Sequence, residues 1–142
     1  PVDATYPYFI PGGYDLYRGI TIHRKLAAMN NITVDDMKRL HNENYNSFAQ
    51  TAVPNLLKYI SESSLLSEEK DYLSLVKKWN FQNAYDETGA TVFKLWYDSL
   101  ESRVWDDELG KLKQLGLFPA ERTLIEAVLR DSAFSYIDNT QT

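Results

Sequence analysis

A chain of 142 residues can bury one sizeable hydrophobic core and is too short for two ordinary domains. Its 44% hydrophobic and 25% charged composition is that of an ordinary globular protein. Twenty acidic against fifteen basic residues give a net charge of −5 with no Lys/Arg block, so no footprint for nucleic acid is present.

The absence of cysteine removes disulfides and thiol chemistry. No stretch approaches the roughly 18 apolar residues that a membrane-crossing helix needs, and no signal peptide is visible. Pro1-Val2-Asp3 lacks an initiator methionine, which predicts an excised or processed piece of a longer chain.

Residues 1–14 hold three prolines, Gly12-Gly13 and four aromatics, Tyr6, Tyr8, Phe9 and Tyr14. Proline removes backbone donors and disfavours helix in the residue before it, so this stretch reads as an extended lead-in pinned by its rings. Helical spacing then predicts a first helix over about Leu16–Met29, capped by Asp15, with Ile20, His23, Leu26 and Ala27 near one face and Asn30-Asn31 as its stop. Thr33 opens a second helix through a capping box with Asp36. Val34, Met37, Leu40 or His41, Asn44 or Tyr45, Phe48 and Ala52 continue its period, as far as a kink or a fresh start at Pro54 and an end near Ile60.

Ser67-Glu68-Glu69 begins a third helical element whose buried face is Tyr72, Leu73, Val76 and Trp79. After a linker over 80–85, Asp86 or Thr88 caps a long helix with Val92, Phe93, Leu95, Trp96, Leu100 and Val104 on its core side. Asp106-Asp107-Glu108 reads as a solvated helix end or a new start, and Gly110 to Gly116 as a connector or short helix. Pro119 suits the first position of a final helix striped by Leu124, Ile125, Val128 and Leu129. The fold class expected is all-α: one irregular multi-helix domain or bundle over residues 1–142.

Chemistry is sparse. His23 and His41 lie in no metal-ligand spacing, and packing or surface hydrogen bonding accounts for both. No Ser sits in a G-x-S-x-G elbow, and Gly12-Gly13 is no phosphate loop. Asp35 and Asp36 are explained as first-turn acids, and Glu43 as a structural hydrogen-bonding group. No catalytic, cofactor-binding or metal-ligating residue is assigned. The most distinctive stretch is Trp79–Trp96, a packed helix end and polar turn followed by Gly89 and Ala90, small enough to admit a close neighbouring helix.

Those residues resemble the penicillin acylase (penicillin amidase) family of N-terminal-nucleophile hydrolases. The family's large chain carries a Trp-Asp-Gly turn, an Asp-Ser, small residues and then a helix with Phe and Trp. Here the counterparts are Trp79-Asn80-Phe81, Asp86 to Thr88, Ala90-Thr91-Val92-Phe93 and Trp96. Val34-Asp35-Asp36-Met37 through Glu43, Pro7 to Ile10 with Tyr17-Arg18, and Trp105 to Leu109 follow in family order, so the likeness covers about residues 6–109. Asn80 for Asp, Phe81 for Gly, Glu43 for Asp and His41 for Gln are departures.

The resemblance implies a helical part of a larger amidohydrolase whose nucleophile is the first residue of its mature large chain, with its own α-amine as base. The nucleophile, the oxyanion Asn and the family's calcium ligands fall outside these residues, so this part is expected to be inactive alone and to carry no cofactor. The parent is expected to be periplasmic or secreted and to cleave linear amides of the penicillin, cephalosporin or acyl-homoserine-lactone kind. The partners expected are the remainder of that hydrolase chain and its small-molecule amide substrate. The competing expectation is a noncatalytic helical domain that binds a protein or glycan through its N-terminal aromatics.

Overall fold

The computed structural model describes Thr5, Pro7, residues 16–116 and residues 118–130, the side chains of Asp107 and Glu108 excepted. The lead-in aromatics and the Asp15 cap lie outside the described residues. Among those residues the fold is all-α, with six α-helices, one 3-10 turn at Glu62–Ser64 and no strand. No helix in this part is long and apolar enough to cross a membrane. The chain divides into two compact units, Pro1–Asn42 and Glu43–Thr142.

The first unit holds α1 (Leu16–Ala27) and α2 (Val34–His41). Asn31, in the left-handed region at φ 52°, turns the chain between them. The capping box at α2 forms as its residues predict. Asp36 N–H donates to Thr33 Oγ1 at 3.2 Å, and Thr33 N–H donates to Asp36 Oδ2 at 2.9 Å. The Arg18 guanidinium donates to the His41 carbonyl oxygen at 3.3 Å, tying α1 to the end of α2.

The second unit holds α3 (Ser47–Leu57), α4 (Ser67–Lys78), α5 (Thr88–Lys113) and α6 (Arg122–Arg130). The helical period expected to run unbroken from Thr33 to Ala52 is interrupted. Asn42 ends α2, and Asn46 restarts the chain as an N-cap whose side chain accepts from Ala49 N–H at 2.8 Å. Asparagine competes for backbone groups in this way, which makes it a poor helix interior and a good cap. The freed stretch pairs with the turn after α4. Asn46 N–H donates to the Phe81 carbonyl at 2.7 Å and Asn83 N–H to the Asn44 carbonyl at 3.1 Å, forming one antiparallel bridge. Pro54 lies inside α3 without ending it.

Two further boundaries differ from expectation. The acidic run at Asp106 does not end α5, which continues for 26 residues to Lys113. Val104 and Trp105 are buried while Asp106 is exposed, so Asp106 lies on the wet side of one continuous helix. Gly116, at φ 69°, turns the chain afterwards. Pro119 precedes α6 by three residues instead of opening it, and Glu87, with no side-chain capping bond, precedes α5 where Asp86 or Thr88 was expected to cap.

The core is aromatic. Tyr97 is fully buried, with Phe48 edge-on at 5.1 Å and Phe93 stacked at 5.8 Å, and Trp79 joins Phe93 at 5.8 Å. Each such ring contributes roughly 1.5–3 kcal/mol by burial, and the paired geometry adds to it. Leu124 and Ile125 of α6 are buried as their stripe predicts, whereas Leu129 is exposed.

Candidate functional site

The turn that carries the Trp79 motif is a built structure. Trp79 Nε1–H donates to the Gln82 carbonyl at 2.7 Å, and Asn80 Oδ1 accepts from Gln82 N–H at 2.9 Å. Oδ1 is the acceptor an aspartate would offer, so Asn80 keeps the hydrogen bond while removing a charge. Phe81 sits at φ 65°, a left-handed conformation that costs a side-chain-bearing residue roughly 1–2 kcal/mol. Its ring is held edge-on to Trp79 at 5.3 Å and to Tyr45 at 6.2 Å, which offsets part of that cost. Gly89 faces the same indole, and a β-carbon there would come within 2.7 Å of Trp79 Cβ.

This packing sets α4 beside α5 and leaves an apolar groove of about 600 Å³. Leu73 and Val76 line it from α4, Val92, Leu95 and Trp96 from α5, and Ile60 and Leu65 from the connection. A second cavity of about 330 Å³ shares Ile60 and Trp96 with it and is walled by Leu100 and Val104 of α5 and Leu124 and Val128 of α6. Tyr72 and Leu95, expected in the core, are exposed, and both line the larger groove.

The polar groups at the larger groove are few and already engaged. Glu69 Oε2 accepts from Leu66 N–H at 2.8 Å, so it serves the start of α4. Tyr72 Oη donates to Glu68 Oε1 at 3.3 Å. Such a lining suits an apolar chain or ring and supplies no nucleophile–base pair.

The residues weighed for chemistry from sequence are not brought together. His23 and His41 are both exposed. Glu43 Oε1 accepts from Tyr45 N–H at 3.0 Å, a local structural bond. Asp35 and Asp36 occupy the first turn of α2, and the Thr33 hydrogen bonds hold the Asp36 carboxyl below its ordinary value. Among the described residues, no group of three or more His, Asp or Glu side chains is placed to hold a metal ion.

Sequence reasoning missed Glu101. Its Oε1 is buried with no hydrogen-bond partner among the described residues. Burial first, and then the charges of Glu121 and Asp98, push its carboxyl up to about 7, while Lys94 and Lys113 pull the other way. The i, i+4, i+7 spacing of Lys94, Asp98 and Glu101 was a readable sign that all three share one face of α5.

A family model described as penicillin amidase matches residues 1–142, the whole chain. The chain belongs to the penicillin amidase family. No curated protein and no solved structure matches it. Family membership and the all-α fold agree with the resemblance carried by the Trp79 turn, and they make the chain part of an amidohydrolase-related protein.

Proposed function

We propose that this chain is the helical scaffold of a penicillin-amidase-family hydrolase, and that the groove between α4 and α5 forms one wall of its substrate cleft. The observation that carries this reading is the groove itself: about 600 Å³, apolar, and built on the turn that bears the family pattern. That size and lining fit the acyl side of an amide substrate.

In this reading the bond-breaking groups come from the remainder of the hydrolase. An N-terminal Ser, Cys or Thr attacks the carbonyl carbon, its α-amine takes the hydroxyl or thiol proton, and backbone N–H and Asn donors hold the oxyanion. The amine of the substrate leaves with a proton, and water then releases the acid. The helical part contributes binding and exclusion of water. Its own chemistry is nil, and no step passes through calcium.

Penicillins, cephalosporins and acyl-homoserine lactones are the substrate classes proposed, in a periplasmic or secreted enzyme. The test is hydrolysis of a panel of N-acyl amides by the intact hydrolase that carries this chain. The reading expects turnover that depends on the acyl group. A panel with no turnover, or a coding sequence without a self-processing Ser, Cys or Thr, would overturn it.

A further inference from the structure

We propose that Trp96 sets the longest straight acyl chain the cleft accepts, by closing the α4–α5 groove at the end where the smaller cavity begins. This deepens the reading of the groove as part of the substrate cleft and rests on it.

Two stripes run side by side along α5. Phe93 and Tyr97 are fully buried and belong to the aromatic core. The neighbouring stripe is Val92, Trp96, Leu100 and Val104, at successive i, i+4 positions, and each of the four lines a cavity. At a rise of 1.5 Å per residue, this stripe is about 18 Å long. Val92 faces the groove alone, Leu100 and Val104 face the smaller cavity alone, and Trp96 faces both. The order along the helix is therefore groove, indole, cavity.

A second side chain meets the same boundary from across the trough. Ile60, three residues past the end of α3, is the other residue common to the two spaces. The lining is alike on either side of this pair: Leu73 and Val76 of α4 before it, Leu124 and Val128 of α6 after it. Among the described residues, no charged side chain lines the smaller cavity, so it suits hydrocarbon and disfavours a charged chain end. Indole and Ile60 thus partition one apolar trough.

Packing, and not a hydrogen bond, holds the Trp96 ring. Phe93 meets it edge-on at 6.4 Å, and its indole N–H makes no hydrogen bond among the described residues. Trp79 differs, since its Nε1–H is bound to the Gln82 carbonyl. A smaller residue at position 96 would therefore join the two spaces without orphaning a polar partner. In the wild-type protein a straight chain laid along α5 gains buried methylenes until it reaches the indole, and gains nothing beyond it.

The test is kcat/KM of the intact hydrolase on N-acyl amides whose straight acyl chains lengthen one methylene at a time. The wild-type value is expected to rise roughly fourfold per methylene and then to stop rising at one length. Trp96→Ala should move that break to longer chains, by the ~6 Å that separates Trp96 from Leu100 along the helix. Adding Leu100→Trp to Trp96→Ala, which fills the smaller cavity, should return the break toward its original length. A wild-type series without a break, or an unmoved break in Trp96→Ala, overturns the proposal. Should Trp96→Ala not fold, an unmoved break in the milder Trp96→Leu overturns it. Val92→Trp, which fills the groove itself, separates the two readings. If it raises KM while the Trp96 variants leave the break in place, the chain-length role alone falls; if it leaves KM unchanged, the cleft reading falls and this role with it.

Discussion

Trp79 and Gly89 are packed so tightly that a β-carbon on Gly89 would lie 2.7 Å from Trp79 Cβ and 2.8 Å from the Leu75 carbonyl oxygen. One of these neighbours is backbone and the other a buried indole, so neither can move cheaply. The contact fixes how closely α5 packs on the end of α4, the pair whose side chains line the groove. Glycine is kept here for closeness of approach, against its poor helix propensity.

Gly89→Ala would gain up to about 1 kcal/mol of helix propensity and lose more to overpacking. The expected net destabilisation is about 1–2 kcal/mol. Urea unfolding followed by far-UV circular dichroism measures it, and a stabilised Gly89→Ala protein would show that the site admits a methyl group without overpacking.

Phe81 separates two effects at one position. Phe81→Ala removes the ring contacts with Trp79 and Tyr45 and keeps the left-handed strain. Phe81→Gly removes both. The glycine variant should therefore be the more stable of the two by about 1 kcal/mol, and paired urea titrations read the difference directly.

Tyr97→Phe deletes only the hydroxyl that donates to the Glu121 carbonyl. The ring stays packed, so the cost should be about 1 kcal/mol, with local exposure of α6 rather than global unfolding. Thermal unfolding gives the first quantity and hydrogen exchange the second.

Stability should fall with rising pH through the Glu101 range. The folded carboxyl titrates at about 7 and the free one at 4.5, so the native state holds the extra proton between those values. Its contribution is complete below about pH 4.5 and is lost as pH rises through about 7. Because the carboxyl is partly open to solvent, the loss should be ~1–2 kcal/mol, less than the full linkage. Urea titrations at about pH 5 and about pH 8 on wild type and Glu101→Gln isolate it, the variant showing the flatter profile.

The fold class, the Thr33 capping box, the close approach at Gly89 and the burial of Leu124 and Ile125 in α6 were legible because each rests on local chemistry: a cap spacing, a missing side chain, a helical period. The break between α2 and α3 was hidden by hydrophobic spacing that continued through it, although Asn42, Asn44 and Asn46 are residues that favour caps and turns. The run at Asp106 misled in the opposite sense, since consecutive acidic residues in a sequence look like a solvated end when the buried Val104 and Trp105 just before them are not seen. The groove was illegible for a simpler reason. Tyr72 and Leu95 stand at helical spacing like core residues, and only the tertiary arrangement leaves them exposed and lining a groove. Glu101 was passed over because its burial, and the charge of Glu121 that adds to it, arise only through folding.

The central claim, that the α4–α5 groove is part of the substrate cleft, is tested most directly by filling it. Val92 lines the groove from α5, and Val92→Trp would occupy much of the space. Amide hydrolysis by the intact hydrolase should then show a KM raised roughly tenfold, or about 1.4 kcal/mol, with kcat and far-UV circular dichroism little changed. An unchanged KM in a properly folded variant would contradict the claim.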